Sequence, residues 1–339
     1  MNEPRYSIVI PTYRRGDSLA ECLESICALD YEHDAIEVVI IDNGGVEHTR
    51  AAAAPFMDRL RIRYLINPRN RGYGFSVNRG IVESNGDRIL LLNDDARPFP
   101  DVLRECDRLL TADPAIGCVG CRAIEEGHER WGNDVGRVLH GGALVGNFDI
   151  DCGEPVEVDH VYGFCYVFTR EAVRRAGLND MTLLARPYSS GNRIETDHCL
   201  TIGRTGLKVV YNPRMVAHHL ARPRPDMSEV SLRWHLNAIR NTIYLYLKHY
   251  GLFGKGFAAL RLTFLQHVGI LSAVRHPSKS NLAYFLNGLR ARASAYGHYI
   301  MYLLGPRFDS PEAFKRMLDA DTRATATGSL AGVSAPRSR

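Results

Sequence analysis

The sequence predicts an α/β protein: a mostly parallel, doubly wound sheet with a helical C-terminal region. Three observations predict it. Apolar runs recur at Tyr6–Pro11 (YSIVIP), Ile36–Asp42 (IEVVIID) and Ile89–Leu92 (ILLL), the pattern of strands buried on both faces. Helix-periodic stretches separate them, and strand–helix alternation builds a parallel sheet. The final third shows helical spacing alone.

Taken in order, Tyr6–Pro11 is the first strand. Ser18 and Glu21 form a capping box, and Leu19, Cys22, Leu23 and Ile26 follow at helical spacing. Ile36–Asp42 is the second strand and ends in Asp42-Asn43-Gly44-Gly45. An alanine-rich helix is expected near Glu47–Arg59, and a third strand over Ile62–Ile66. Arg69–Gly80 (RNRGYGFSVNRG) is a glycine-bearing loop entering a helix. A strand at Arg88–Leu92, a helix at Pro100–Ala112 and a strand at Ile116–Cys121 complete the alternation.

From Arg122 the pattern changes. Gly, His and Trp are interspersed through Trp131–Asn147. Val156–Val161 and Gly163–Thr169 read as antiparallel strands and loops laid over the open sheet edge. Glu171–Ala176 and Ile194–Arg204 read as helices. Lys208–Tyr211 reads as a short strand, turned at Asn212-Pro213 towards Val216–His219. Helices are expected at Leu232–Tyr250, Gly256–Val274 and Asn281–Leu304, none with the apolar run of ~20 residues that a membrane span needs. Ala324–Arg339 is Ala/Thr/Ser/Gly-rich and expected to be disordered. The division is 1–121 and 122–227 as two halves of one domain, 228–306 as a basic helical region, and 307–339 as a tail.

The eight cysteines are scattered, and Met1–Arg5 lead straight into a strand, so the expectation is a reducing, cytoplasmic setting with free thiols. Cys118 and Cys121 form a lone CxxC with no second pair at zinc-finger spacing and read as buried strand thiols. The net charge of +4 hides an asymmetry. Between Arg233 and Phe308 stand ten Lys or Arg and no acid, leaving 32 basic residues (42 less 10) against 38 acidic ones elsewhere. With Trp234, Tyr244, Tyr246, Tyr250, Tyr299 and Tyr302, this block suits a membrane surface, and an oligomer interface or core packing is the alternative. No nucleic-acid-binding module is present.

The strand at Arg88–Leu92 stops at Asn93-Asp94-Asp95, with Pro98 and Pro100 close behind. Carboxylates ending a buried strand lie at the carboxyl edge, where open α/β sheets bind ligands. Adjacent acids repel unless a cation lies between or beside them, and a hard divalent ion fits. A solvated acidic turn or a helix N-cap is the plainer reading. The first strand-to-helix turn, PTYRRGDS, lacks both G-x-G-x-x-G and G-x-x-x-x-G-K-[ST], so neither common phosphate cradle is present.

Four pieces in order resemble the family-2 glycosyltransferases with a GT-A nucleotide-sugar-binding fold. They are YSIVIPTYRR; VVIIDNGG; NRGYGFSVNRG with LLLNDDARPFP; and GFCYVFTREAVRRAG with IETDHCLTIGRTG and VYNPRMVAHH. The likeness runs from Tyr6 to about His219. It implies a transferase that moves a sugar with inversion from a UDP-, dTDP- or GDP-linked donor to an acceptor hydroxyl, lipid-linked in one version. It implies a divalent cation, Mg²⁺ or Mn²⁺, and work in polysaccharide, glycolipid or glycosylated-metabolite synthesis. The basic block adds peripheral contact at the inner membrane face through 233–308, or homo-oligomerisation, as options.

By this resemblance Pro11, Thr12 and Tyr13 flank the nucleotide base, and Asp42 contacts base or ribose. Asn70, Gly72 and Asn78 belong to the sugar-nucleotide pocket. Asn93 stands where the family's acidic triplet commonly has an acid, Asp94 meets ribose or the metal's water shell, and Asp95 binds the metal. His219, six residues after Pro213, is the second metal ligand. Counting back from Arg204-Thr205-Gly206 makes Glu195 the general base, with Asp197 the alternative. Trp131, His140 and Tyr162 shape an acceptor site, and Pro187–Arg193 forms a closing loop. The rival readings are a nucleotidyltransferase that makes a nucleotide sugar and a catalytically silent nucleotide-binding scaffold.

Overall fold

The computed structural model describes residues 4–125, 152–181, 193–220, 227–252, 279–304 and 310–326. Its elements are β1 (Tyr6–Thr12), α1 (Gly16–Cys27), β2 (Ile36–Asp42), α2 (Glu47–Ala53), β3 (Ile62–Ile66), α3 (Tyr73–Glu83), β4 (Arg88–Leu92), β5 (Ala96–Pro98), α4 (Val102–Ala112), β6 (Ile116–Glu125), β7 (Val156–Glu157), β8 (Cys165–Thr169), α5 (Arg170–Ala176), α6 (Ile194–Arg204), β9 (Lys208–His219), α7 (Met227–Tyr250), α8 (Lys279–Leu304) and α9 (Pro311–Ala326).

They form one sheet in the order β3-β2-β1-β4-β8-β6-β9-β5, with β7 on β9. β3, β2, β1 and β4 run parallel. The apolar runs predicted this: alternate residues feed opposite faces. Ile8, Ile10, Ile40 and Leu92 pack towards α1 and α4, with Leu19, Leu23 and Leu103. Val9, Val39, Ile41 and Leu91 pack towards α3, α5 and α6, with Phe75, Val173 and Ile202. The order reverses around β1, so the carboxyl ends of β1 and β4 open a crevice at a topological switch point.

Several expectations are corrected. β8 is not laid over the edge: it inserts between β4 and β6, antiparallel to both. Its buried CYVF run fits a central strand better than a covering one. β9 does not break at Asn212-Pro213; the ladder with β6 absorbs the proline in an irregularity and continues to His219. α1 starts at Gly16, ahead of the expected cap, and Arg15 at its N-cap makes no side-chain cap bond. Glu21 pairs with Arg97 instead of closing a capping box. Pro55 ends α2 early in a 3₁₀ turn.

Ahead of the stretch expected to be disordered, the tail carries α9. α9 inserts Phe314, fully buried, against Phe75 of α3, ring centroids 5.3 Å apart. The basic block is partly internal: Arg240 and Lys248 are buried or nearly so, and Tyr244 and Tyr246 sit in a small core with Ile194 and Ala295. All eight cysteines are free. Among the described residues no helix is long and apolar enough to cross a membrane. The helix expected at Gly256–Val274 lies outside the described residues, as do Trp131, His140 and 187–192.

Candidate active site

β1 and β4 end side by side, and their last residues meet. Thr12 Oγ1 donates to Asp94 Oδ2 at 2.8 Å. Arg15 lies across both acids: Nη1 is 2.9 Å from Asp94 Oδ1 and Nη2 is 2.9 Å from Asp95 Oδ2. The repulsion that the sequence assigned to a divalent ion is therefore relieved by a guanidinium. Burial disfavours the Arg15 charge, but the two carboxylates outweigh it and raise its pKa. Pro11 and Thr12 are buried at this strand end, while Tyr13 is 40% exposed and faces solvent with Arg14 stacked over its ring.

Asp95 meets His219 because of β5. Ala96 pairs with His219 across the β5–β9 ladder, and Leu220 N donates to Asp95 O at 2.9 Å. His219 Nε2 stands 3.7 Å from Asp95 Oδ1, and both side chains are 12% exposed. On the far side of the ring, Nδ1 is 3.0 Å from Glu125 Oε1 and 3.1 Å from the Tyr162 hydroxyl, which itself donates to Glu125 at 2.8 Å. An ionised carboxylate only accepts, and Glu125 lies closer to Nδ1 than Asp95 does to Nε2, so the neutral tautomer that fits this geometry carries its proton on Nδ1 and turns the Nε2 lone pair to Asp95. Asp95 Oδ1 is buried without a hydrogen-bond partner. Two lone pairs facing one another across that gap fit a cation. The protein set is small: among the described residues no group of three metal-binding side chains occurs. Such a pair suits an ion that takes its remaining ligands from phosphate and water, as Mg²⁺ does.

Glu195 opens α6 and lies over Gly163, where a Cβ would come within 2.9 Å of Glu195 Cγ. Phe164, next in the chain to Gly163, accepts from Asn93 N at 2.8 Å, which places Glu195 near the acids. Tyr73 donates to Asn93 Oδ1 at 3.1 Å, and burial, then the negative charges of Glu195, Asp95 and Asp94, push its pKa well above the ordinary range. The structure thus gathers Asn93, Asp94, Asp95, His219, Thr12 and Glu195 around one crevice.

Four further candidates, Asp197, Asn78, Asp42 and Asn70, each make structural bonds. Asp197 is buried, with Oδ2 2.7 Å from Lys248 Nζ and Oδ1 2.7 Å from His249 Nε2. Burial opposes its ionisation, but Lys248 and His249 reverse this and hold the carboxyl well below the usual range. A carboxylate so engaged anchors α7 to the start of α6. Asn78 is buried and exchanges amide bonds with Asn179, pinning α3 from behind. Asp42 is buried and closes its turn, accepting from Gly44 N, Gly45 N and the Tyr64 hydroxyl. Asn70 accepts from Asn43 and from Gly72 N, so it shapes the loop before α3, where Gly72 takes φ +85°.

The family model for glycosyl transferase family 2 matches residues 7–177, half of the chain. The chain belongs to glycosyltransferase family 2. This family-2 glycosyltransferase is 26% identical over 219 residues to the glucosyl-dolichyl phosphate glucuronosyltransferase of Haloferax volcanii, covering 63% of the chain and 69% of that protein. It is 27% identical over 254 residues to an N-acetylglucosaminyltransferase of Azorhizobium caulinodans, covering 70% of the chain and 60% of that protein. The fold matches S. aureus TarS 1–349, solved with UDP-GlcNAc, at TM-score 0.59 and 12% identity over 87% of the chain and 89% of that one. It matches a mannosyltransferase of Pyrobaculum calidifontis, solved with GDP-Man and Mn²⁺, at TM-score 0.53 and 16% identity over 89% and 88%. The GT-A architecture expected from the sequence is present, and the chain is a glycosyltransferase.

Sequence reasoning missed Arg15, Tyr73, Glu125 and Lys248. Arg15 stood in PTYRRGDS, weighed only as a poor phosphate loop. Tyr73 was visible at the mouth of a helix expected to face the site. Glu125 and Lys248 gave no local signal, since their partners lie 94 and 51 residues away.

Proposed function

We propose that this glycosyltransferase moves a sugar from a nucleotide-diphosphate donor to an acceptor hydroxyl in one inverting displacement, with Glu195 as general base. The observation that carries this reading is the convergence of Asp95 and His219 on one gap at the crevice that Glu195 also borders. Asp95 and His219 would hold a divalent cation there, which offsets charge building on the departing nucleotide diphosphate. Arg15, at the same edge, fixes the two acids and presents a partly exposed guanidinium towards the donor side. Glu195 accepts the proton of the acceptor hydroxyl as that oxygen attacks the anomeric carbon. Pro11, Thr12 and Tyr13, with the Asp42–Asn70–Gly72 loop network, frame the nucleotide; Asn78 supports α3 from behind. The names of the relatives, one acting on glucosyl-dolichyl phosphate, support a lipid-phosphate-linked acceptor.

The test is thermal stabilisation by UDP-, dTDP- and GDP-sugars with and without Mn²⁺, since ligands of the folded state raise its melting temperature by mass action. Metal-dependent stabilisation by one nucleotide class, lost in Asp95→Asn, is the expected result. A donor that binds equally well with metal chelated would sink the cation assignment.

A further inference from the structure

α8 presents an apolar stripe to solvent. Leu282, Leu286, Leu289, Ile300, Met301 and Leu304 are each 45–83% exposed. Their spacing of four, three, eleven, one and three residues keeps them on one face of a helix, over about 33 Å from Leu282 to Leu304 at ~1.5 Å per residue. Two exposed apolar groups on one helix face, at 282–289 and 300–304, exceed the scattered single residues that a monomer normally exposes. The opposite face is packed: Ala295 is buried, and Tyr302 meets Tyr244 of α7 at 6.1 Å between ring centroids.

Charge selects the occupant. Arg290 is exposed beside the stripe, and α8 contains no Asp or Glu at all. A second copy packed stripe to stripe would set arginine against a helix with no acid to receive it. Anionic lipid headgroups supply that charge, while the acyl boundary takes the leucines, which is how interfacial helices bind. We propose that the outer face of α8 is a docking surface for an anionic lipid bilayer. This relocates the membrane contact expected of the whole basic block, since Lys248, Tyr244 and Tyr246 of α7 are spent internally. The helix that carries this surface packs close to the site, because Ala295 shares one small core with Ile194, the neighbour of Glu195. It rests on no catalytic step.

The experiment is flotation of the full chain with phosphatidylcholine vesicles, with and without phosphatidylglycerol. Wild type is expected to float with the anionic vesicles. The double variant Leu286→Glu, Leu289→Glu should lose roughly tenfold in partitioning. Arg290→Gln should lose about fivefold on anionic vesicles alone. These side chains are exposed, so circular dichroism and donor-induced thermal shifts should match wild type, which separates this surface from sugar transfer. Failure of wild type to float with anionic vesicles would overturn the proposal. So would a wild-type dimer in sedimentation equilibrium that the double variant dissolves, which would assign the stripe to a second copy.

Discussion

Lys248 Nζ lies 2.7 Å from Asp197 Oδ2 and 2.8 Å from Asp180 Oδ2, so one ammonium fastens α7 to the helix that begins beside Glu195. Removing one partner of a buried pair leaves an uncompensated charge and costs about 3–5 kcal/mol. Lys248→Met is therefore expected to lower the unfolding free energy by roughly 3 kcal/mol, somewhat softened by the bonds that His249 and Tyr244 keep to the same acids. Denaturant unfolding monitored by circular dichroism would read it, and a change within error would remove the anchor role.

The two acids of the ETD segment should separate cleanly. Glu195→Gln is expected to cut kcat by about 10²–10⁴ while leaving donor affinity in place, the mark of a lost general base. Asp197→Asn should instead lower the melting temperature and leave turnover per folded molecule near wild type. The reverse pattern would move the base to Asp197 against its burial and its bonds to Lys248 and His249.

Gly163 supplies the floor for Glu195. A methyl group there would come within 2.9–3.0 Å of Glu195 Cγ, Cβ and Cδ; Cγ and Cδ can swing away, while Cβ moves only with the first turn of α6. Gly163→Ala is thus expected to displace the carboxylate rather than unfold the chain. Steady-state kinetics should show kcat falling about tenfold or more with the donor KM unchanged, since small misplacements of a reacting group are costly.

The parallel half of the fold was legible because both faces of its strands are buried, and burial writes itself as runs such as ILLL and IEVVIID. The place of β8 was not, because periodicity reports that a strand is buried and says nothing of its neighbours. Asp95 and Glu195 could be found from local sequence; the partners that hold them in place could not. The β5 strand that brings Asp95 to His219 is only three residues long and ends in proline, which reads as a stop. The basic block was legible only as a total: composition counts charges but not which of them, like Lys248, face buried carboxylates.

Two buried histidines set an acid limit on stability. Burial, and then the nearby Arg193 charge, lower the His160 pKa to about 3. Burial lowers that of His198 to about 4, against the opposing pull of Asp197. An unfolded histidine binds its proton near pH 6.5, so below that pH the unfolded state holds more protons. The stability is fully present above about pH 6.5 and is lost towards pH 4 at up to roughly 1.4 kcal/mol per pH unit per histidine. Melting temperature should fall steadily between neutrality and pH 5, and His160→Gln should flatten the slope. A slope unaltered in that variant would mean that His160 titrates normally.

Glu125 should matter to metal affinity without touching the metal. Its Oε1 receives both the Tyr162 hydroxyl and the His219 Nδ1 proton, fixing the ring so that Nε2 faces Asp95. Without that acceptor the ring gains access to its other tautomer and to rotation. Partners of this kind typically contribute 10–100-fold to metal binding. Glu125→Ala is expected to weaken Mn²⁺ binding by about that factor, and Glu125→Gln by less, because an amide oxygen still accepts. The readout is free Mn²⁺ by electron paramagnetic resonance during titration, with nucleotide diphosphate present and no acceptor, so turnover plays no part. Equal Mn²⁺ affinity in wild type and Glu125→Ala, with His219→Ala still impaired, would mean that the surrounding rings, Phe164 at 4.8 Å and Tyr162 at 5.4 Å between centroids, orient the histidine by packing alone.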